Sequence, residues 1–243
     1  RGFASCHGQR GCSRQREGCI KMLSYIDFLK TYAPRFIDGA IITLEQAVLA
    51  AVLAIVVAII AAFMKMSTIL PVRWVGVAYI EIFRGTSLLV QMYWIFFVLP
   101  LFDITLSKFT AGFIAVGLNL GAYGAELVRS GVQSVPKGQY EACLALNIPY
   151  FKRIRRVIFP QALVIMLPPW GNLLIELLKS TALVALISVA DLMFESKQIN
   201  STTFLSAQAF GTALVIYYII ARGIITPGMR SLEKRLSRKL SRG

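Results

Sequence analysis

Histidine, cysteine and acidic side chains are all scarce in this chain of 243 residues. The sequence contains one histidine, four cysteines and 12 acidic residues. Three of the cysteines (Cys6, Cys12 and Cys19) and the histidine fall at the N-terminal end, and their spacing matches neither a zinc finger nor a disulfide framework. We therefore expect no metal site and no core held together by disulfides.

The sequence also lacks the polar majority of an ordinary soluble domain. Hydrophobic residues make up 56% of the chain, whereas roughly 45–50% is usual in soluble domains. The mean hydropathy is +0.65. Several apolar runs approach the roughly 20 residues that a helix needs to cross the hydrocarbon core of a bilayer. These features predict an all-α integral membrane protein with one helical membrane domain.

The net charge of +14 could indicate nucleic-acid binding, but the positions of the basic residues argue against it. They cluster in the loop after the third apolar run and in the C-terminal tail, which is typical of the cytoplasmic segments of membrane proteins. We therefore expect the lipid bilayer, and not nucleic acid, as the surroundings of this chain.

The apolar runs divide the chain into segments. Residues 1–21 are polar and aperiodic, and we expect a disordered and possibly non-native leader there; residues 22–38 are predicted to form an interfacial helix that breaks near Pro34. The transmembrane domain is expected over 39–228 and a basic cytoplasmic tail over 229–243. The predicted spans are about 41–64, 86–102, 109–128, 161–178 and 204–226.

Local signals refine this outline. Pro168-Pro169 is expected to interrupt the fourth span, and Pro227-Gly228 to end the fifth. Residues 191–203 are predicted to form a polar loop. The distribution of basic residues favours an N-terminus outside and a C-terminus in the cytoplasm.

The longest polar interruption between apolar runs is the loop 135–160. Its pattern predicts a helix over 139–146, a stop at Asn147, and a second, basic helix that starts at Pro149. Asparagine is second only to glycine as the left-handed residue that ends a helix, and proline is favoured in the first turn of a helix. On composition alone this would be a solvated loop that marks the cytoplasmic side, but the residue pattern favours a docking site for another protein.

Within this loop, Glu141-Ala142-Cys143, Asn147 and Ile158-Phe159-Pro160 resemble the EAA motif of type I ABC importer permeases. Cys143, Asn147 and Phe159 stand where the family has alanine, glycine and leucine. Further stretches resemble the polar amino acid uptake branch of this family, the histidine, arginine and glutamine type of permease. These stretches are 79–86 with 88–91, 119–126, 134–139, 160–162, 169–172, 178–183 and 191–192, and the resemblance covers about 36–234.

The resemblance implies a five-span helical bundle of the type I ABC importer (MetI-like) kind, in the bacterial cytoplasmic (inner) membrane. It also implies that the helix in the loop is a cytoplasmic coupling helix that sits in a cleft of an ATPase. The implied ATPase-coupling residues are Gly138, Glu141, Ala142, Cys143, Asn147 and Pro160. The implied partners are a second permease subunit (the same or a related chain), two cytoplasmic ATP-binding subunits and an extracytoplasmic solute-binding protein.

The sequence contains no GxxxxGK[ST] phosphate-binding loop. We therefore expect a transport subunit that is not itself an enzyme and has no ATPase site of its own. No cofactor is expected in this chain, because ATP and magnesium would be bound by the partner ATPase subunits.

Polar residues inside the predicted spans are candidates for the substrate pathway, because such residues are costly at membrane depth. The candidates are Asn119, Asn172, Glu176 and Lys179. Glu176, together with Asn119 or Asn172, would offer an acceptor and a donor to a zwitterion such as an amino acid. The alternative is that such polar residues only join helices or reach the interface. We favour this alternative for Glu126, a further acidic residue of the third span.

The predicted function is the permease subunit of an ATP-driven ABC importer for polar amino acids or related small zwitterionic solutes. One alternative cargo is a compatible solute such as ectoine. A stand-alone channel or secondary carrier is a further alternative, which would need its own ion or proton relay and often an internal repeat. Neither feature is visible in the sequence.

Overall fold

The computed structural model describes the backbone of residues 9–240 and the side chains of residues 25–235 and Arg238. This part of the chain is helical and contains no strand. Its α-helices are α1 (Gln9–Met66), α2 (Leu70–Gly85), α3 (Leu88–Tyr93), α4 (Lys108–Gln133), α5 (Lys137–Ala145), α6 (Tyr150–Arg153), α7 (Phe159–Thr181), α8 (Leu192–Thr203), α9 (Ser206–Ile220) and α10 (Thr226–Leu240). Between them lie π-helical turns at Trp94–Val98, Ile154–Ile158 and Ala221–Ile225, and 3₁₀ segments at Leu99–Phe102 and Ala182–Ile187.

The number of membrane spans agrees with the sequence prediction. Four of the described helices are long and apolar enough to cross a membrane, and the number rises to five when the bent pair Leu70–Gly85 and Leu88–Phe102 is counted as one span. The predicted third and fourth spans lie within α4 and α7, and the predicted fifth span covers α9 and the π-helical turn that follows it.

The first span belongs to one continuous helix, α1, which passes through Pro34. The predicted break at this proline is wrong, and the predicted interfacial helix over 22–38 is not a separate element. Packing on both sides of the proline explains the difference. Phe28 and Phe36 are buried in one cluster with Ile199 of α8, and this burial offsets the hydrogen bond that a proline removes from a helix.

The predicted leader over 1–21 lies partly outside the described residues, which begin at residue 9. Residues 9–21 belong to α1 and are helical, so the expectation of disorder is wrong for this part. Glutamine and arginine recur in it, and these side chains lose little rotamer freedom in a helix.

α2 and α3 meet at a bend of 107°. Thr86 and Ser87, the two residues at the bend, have extended backbone conformations. This geometry agrees with the prediction that the second helical region enters at an angle before it crosses. The bend also turns backbone groups towards the interior of the bundle, where the candidate site lies.

Small residues on α4 allow its neighbours to approach closely. A Cβ atom at Gly117 would lie 2.8 Å from the Leu53 side chain of α1, and one at Gly112 would lie 2.5 Å from Val184 in the segment Ala182–Ile187. Close packing of this kind holds helices together in lipid, where the hydrophobic effect does not drive one helix onto another. α4 is therefore the central helix of the bundle.

Prolines interrupt fewer helices than the sequence predicts. Pro168-Pro169 lies inside α7, and Pro227 lies in α10, which follows α9 through the π-helical turn Ala221–Ile225. Each of the three π-helical turns ends two residues before a proline, at Pro100, Pro160 and Pro227. A proline supplies no N–H and crowds the carbonyl four residues earlier, so a wider turn at that place lets the chain continue as a helix.

The predicted polar loop over 191–203 is helix α8, so that prediction is wrong. Asp191 caps the helix, because its Oδ1 accepts a hydrogen bond of 2.8 Å from the backbone N–H of Phe194. Leu192, Ser196 and Ile199 are buried at helical spacing. The helix has only a narrow apolar face, so its composition as a whole is as polar as that of a loop.

Candidate functional site

α5 projects from the end of the bundle where α4 ends and α7 begins, and its C-terminus has a defined cap. The backbone N–H of Ile148 donates to the carbonyl of Cys143 at 3.0 Å, and the N–H of Asn147 donates to the carbonyl of Leu144 at 3.0 Å. Asn147 adopts the left-handed conformation, with φ of 51°. These features define a Schellman motif, and the predicted stop at Asn147 is confirmed.

Side-chain contacts join α5 to both neighbouring spans. Tyr140 Oη donates to the carbonyl of Val132 at 3.5 Å, and Gln161 Nε2 donates to Gln139 Oε1 at 3.3 Å. Cys143 is buried, with 4% of its surface exposed. α5 is thus attached to the end of α4 and the start of α7, so a displacement of α5 acts on both helices.

The outer face of this loop exposes large apolar side chains. Their exposed fractions are 60% for Leu144, 73% for Leu146, 69% for Tyr150 and 72% for Phe151. Glu141 and Ala142 are exposed on the same loop. We call Glu141, Leu144, Leu146, Tyr150 and Phe151 the loop patch. Large apolar side chains that are exposed outside the membrane spans are characteristic of contacts with other proteins.

The remaining predicted coupling residues have structural surroundings that differ from one another. Gly138 is exposed, and a Cβ atom there would meet no atom within 4 Å, so packing within this chain does not require a glycine. Pro160 lies in the first turn of α7, where its missing N–H costs little. The predicted residues thus divide into an exposed group (Gly138, Glu141 and Ala142) and a group that shapes the loop (Cys143, Asn147 and Pro160).

At the same end of the bundle, Glu126 of α4 joins two cations. It forms an ion pair with Lys65 at the end of α1, and its Oε2 lies 2.9 Å from Arg129 Nε. This contact agrees with the expectation that Glu126 joins helices. It holds the end of α1 against α4 next to the segment that leads into α5.

Within the membrane domain, Asn119 braces the bend between α2 and α3. Asn119 Nδ2 donates to the carbonyl of Phe83 at 3.0 Å and to Gln91 Oε1 at 3.0 Å. Gln91 Nε2 in turn donates to the carbonyl of Phe83 at 3.0 Å and to Thr86 Oγ1 at 2.6 Å. Asn119 is 5% exposed. Its hydrogen bonds stabilise the bend, because a buried polar group without a partner costs free energy.

Beside this network lies a groove with a volume of about 420 Å³. Four leucines line it together with polar residues from the bend, α4 and α7. The polar lining residues are Thr86, Ser87, Asn119, Tyr123, Glu176 and Ser180. The groove therefore offers a carboxylate, an amide and several hydroxyl groups in otherwise apolar surroundings.

The structure brings two of the four predicted pathway residues together. Asn119 and Glu176 both line the groove, whereas Asn172 and Lys179 do not. Lys179 is exposed, and its Nζ lies 3.7 Å from Glu176 Oε2. Asn172 is also exposed, one turn before Glu176 on α7.

Several groove residues were not predicted. Thr86 and Ser87 line the groove because the helix breaks there, and Tyr123 does so because it follows Asn119 by four residues on α4. The guanidinium of Arg84 lies over the Tyr123 ring at 5.4 Å from its centroid. The helical spacing of Tyr123 from Asn119 is the signal that could have identified it.

A second buried polar group, missed by the sequence analysis, lies between the fourth and fifth spans. Asp191 is fully buried, and burial raises the pKa of its carboxyl to about 6. Among the described residues, its Oδ2 and the Tyr217 Oη have no hydrogen-bond partner. Thr43 Oγ1 accepts a hydrogen bond of 3.1 Å from the backbone N–H of Leu192, which ties α1 to the start of α8.

The described helices form a membrane bundle with a polar groove between α4, α7 and the bend, and with an exposed helix, α5, at one end. Residues 29–238 match the model of the family described as binding-protein-dependent transport system inner membrane component. The protein belongs to this family and is therefore a multi-pass component of an inner membrane transport system.

Relatives of known description point to the same class. The chain is 39% identical to the probable amino-acid ABC transporter permease protein y4tF of Sinorhizobium fredii, over 82% of this chain and 86% of the relative. It is 35% identical to the L-cystine transport system permease protein TcyB of Bacillus subtilis, over 88% and 91%. It is 36% identical to the glutamine transport system permease protein GlnP of Escherichia coli, over 84% and 93%.

Solved structures agree with the fold. One chain of the crystal structure of an amino acid ABC transporter with histidines has 36% identity and a TM-score of 0.81, over 87% of this chain and 98% of that chain. The MetNI methionine ABC transporter in an inward-facing conformation has 17% identity and a TM-score of 0.71, over 85% and 98%. The second likeness concerns the fold alone, and both confirm the predicted bundle of the type I ABC importer (MetI-like) kind.

Proposed function

We propose that this chain is the permease subunit of an ATP-driven importer of polar amino acids, and that the loop patch is its contact with a cytoplasmic ATPase subunit. The observation that carries the second part is the exposure of Leu144, Leu146, Tyr150 and Phe151 around Glu141, on a helix attached to two spans. The amino acid relatives support the first part.

The complex contains a second permease subunit, two ATP-binding subunits and an extracytoplasmic solute-binding protein. ATP and magnesium bind to the ATP-binding subunits, and this chain contributes no ATPase site and holds no cofactor. With five spans the two termini lie on opposite sides of the membrane, and in this proposal the N-terminus is outside and the C-terminus is in the cytoplasm, on the side of α5. The basic residues of the loop and the tail support this orientation.

Closure of the ATPase dimer moves the two α5 helices towards each other. Because α5 is attached to α4 at Val132 and to α7 at Gln161, both spans follow as rigid bodies, and the bundle rocks between inward-open and outward-open states. Glu141 pairs with a basic residue of the ATPase. The exposed position of Gly138 leaves room for the partner's surface.

The groove supplies the substrate contacts. The carboxylate of Glu176 accepts from the ammonium group of an amino acid, and the hydroxyl groups of Thr86, Ser87 and Ser180 donate to its carboxylate. Asn119 positions this site by holding the bend. Asn172 and Lys179 lie on the approach to the groove along α7.

Reconstitution of the complex in proteoliposomes tests the proposal. The permease, its ATPase and its solute-binding protein are assembled, and ATP hydrolysis is measured against a panel of polar amino acids and ectoine. We expect hydrolysis and uptake to rise together with a polar amino acid, and only when all components are present.

Each other outcome contradicts a defined part of the proposal. Uptake by the permease alone would indicate a channel or secondary carrier. Stimulation by ectoine and not by any amino acid would contradict the proposed cargo. Failure of the ATPase to co-purify with the permease, or co-purification that survives charge reversal at Glu141 together with Leu144→Asp, would contradict the role of the loop patch.

A further inference from the structure

A small basic surface lies at the end of the bundle that carries α5, outside the loop patch. Lys65, Met66, Ser67, Arg73, Arg129 and Gln133 line a cavity of about 310 Å³ there. Glu126 forms ion pairs with Lys65 and Arg129. Arg73 is exposed and forms no ion pair within the described part of the chain. Three cations and one carboxylate leave an excess of positive charge.

The same Arg73 also lines a second, apolar cavity. This cavity has a volume of about 350 Å³ and is formed by Leu70, Arg73, Trp74 and Val77, which lie on one face of α2. Trp74 is 67% exposed and Leu70 is 66% exposed. We call these four residues the α2 groove. A positive site and an apolar groove therefore share one side chain.

The position of the two cavities relative to the membrane defines what can occupy them. Lys65 and Arg73 flank the short connection between α1 and α2, where the first span ends and the next helix begins. Tryptophan and arginine at such a boundary are typical of the level of the lipid headgroups. An occupant must therefore carry negative charge at the boundary and apolar chains just inside it.

We propose that Arg73 and the α2 groove form a binding site for one anionic phospholipid, with its phosphate at Arg73 and an acyl chain along Trp74 and Val77. Lys65 and Arg129 are held by Glu126 and complete the positive side of the site. A lipid without net charge fits the groove equally well but gains less binding free energy at the cationic end, because juxtamembrane cations attract anionic headgroups. The site ties a specific lipid to the end of the bundle from which α5 projects.

Quenching of tryptophan fluorescence by brominated lipids tests this proposal, because Trp74 lies in the groove. The full chain with Trp94→Phe and Trp170→Phe keeps Trp74 as its tryptophan. It is reconstituted in phosphatidylcholine vesicles that contain equal mole fractions of either brominated phosphatidylglycerol or brominated phosphatidylcholine. We expect phosphatidylglycerol to bind next to Trp74 about fivefold more strongly, which corresponds to about 1 kcal/mol for one unpaired cation.

Two controls isolate the site. Arg73→Gln is expected to abolish the preference, whereas Arg155→Gln removes an exposed cation at the same end of the molecule and is expected to leave it unchanged. A chain with Trp74→Phe and Trp170→Phe reports from Trp94, which is 50% exposed on another helix, and should show no preference for phosphatidylglycerol.

Three results would overturn the proposal. Equal quenching of Trp74 by both lipids would show that the site does not select charge. A preference that survives Arg73→Gln would place the selection elsewhere. Absence of quenching by either lipid, with Trp94 quenched normally, would show that protein and not lipid covers the α2 groove.

Discussion

The α5 loop and the bend at Asn119 distribute polar and apolar side chains in opposite ways. At the bend, the amides of Asn119 and Gln91 are turned inwards and hydrogen bonded. At the loop, large apolar side chains such as Phe151 and Leu146 are turned outwards. The difference teaches that the inward polar groups stabilise the chain's own fold, whereas the outward apolar groups outside the spans make no such contribution and are the surface that we propose contacts another protein.

The strongest test of this contrast is charge reversal at the loop. Glu141 is exposed, so Glu141→Lys should leave the thermal unfolding midpoint unchanged while placing a cation against the basic ATPase residue that we propose as its partner. We expect transport to fall by at least about tenfold, since like charges at an interface cost several kcal/mol. ATP hydrolysis should no longer follow transport.

Glu141→Gln is the graded control for that variant. It removes the attraction without adding repulsion, and we expect transport between the wild-type and lysine values. Unchanged transport in Glu141→Lys would remove Glu141 from the coupling contact. A lower unfolding midpoint would instead show that Glu141 supports the fold.

Substitution at the bend should lower the stability of the chain, whereas Glu141→Lys should lower transport and leave stability unchanged. Asn119→Leu leaves Gln91 Oε1 without its donor, and we expect a loss of about 1–3 kcal/mol in the free energy of unfolding. Asn172→Leu is the matched control, because this exposed amide lies in the same membrane domain and makes no such contact with the described residues, and its effect should stay within about 0.5 kcal/mol. Thermal unfolding of the purified chain in detergent measures both, and equal losses would erase the distinction.

Asp191 offers a smaller, pH-dependent test of the inward polar groups. Because burial raises its pKa to about 6, the folded chain holds a proton there that the unfolded chain releases near pH 4. This group's contribution to stability is therefore full below about pH 4 and is lost as the pH rises through about 6.

Asp191→Asn keeps a side-chain oxygen for the cap of α8 but cannot ionise. We expect its stability relative to wild type to rise between pH 4 and pH 7 by about 1–2 kcal/mol. Asp191→Ala should also lose this pH dependence, but with a further loss of about 1 kcal/mol because the cap is gone. Parallel pH profiles for wild type and Asp191→Asn would contradict the raised pKa.

The smallest expected effect concerns the end of α5. Asn147 is left-handed, with φ of 51°, so Asn147→Ala should cost about 1 kcal/mol, whereas Asn147→Gly should be neutral or stabilising. Hydrogen exchange of the amides of residues 143–148 would report the loss locally. Equal protection in the alanine and glycine variants would argue against the Schellman cap.

Local sequence signals predicted more of the loop than of the groove. The cap at Asn147 depends on residues within one turn of each other, so it can be recognised from the order of amino acids alone. The groove combines the bend, α4 and α7, and only Asn119 and Glu176 among its polar residues were predicted. Thr86 and Ser180 line it because of how distant helices meet, for which a single sequence holds no pattern.

Prolines and polar helices also show where local sequence signals fail to predict the structure. Pro34 and Pro227 were expected to break helices, yet the packing of Phe28 and Phe36 in one case and a π-helical turn in the other lets the helices continue. α8 was expected to be a loop because its composition is polar. Leu192 and Ile199 are buried on one face of α8, and this face can be recognised only from its contacts with other helices.

The sequence by itself determined the membrane class, the five apolar spans and the loop that carries Glu141, because each depends on composition or on neighbours along the chain. Tertiary structure alone decided that Asn119 holds a bend, that α8 is a helix and that Arg73 faces both a charged and an apolar cavity. The physical reason is that burial and pairing across helices are properties of contacts between distant residues.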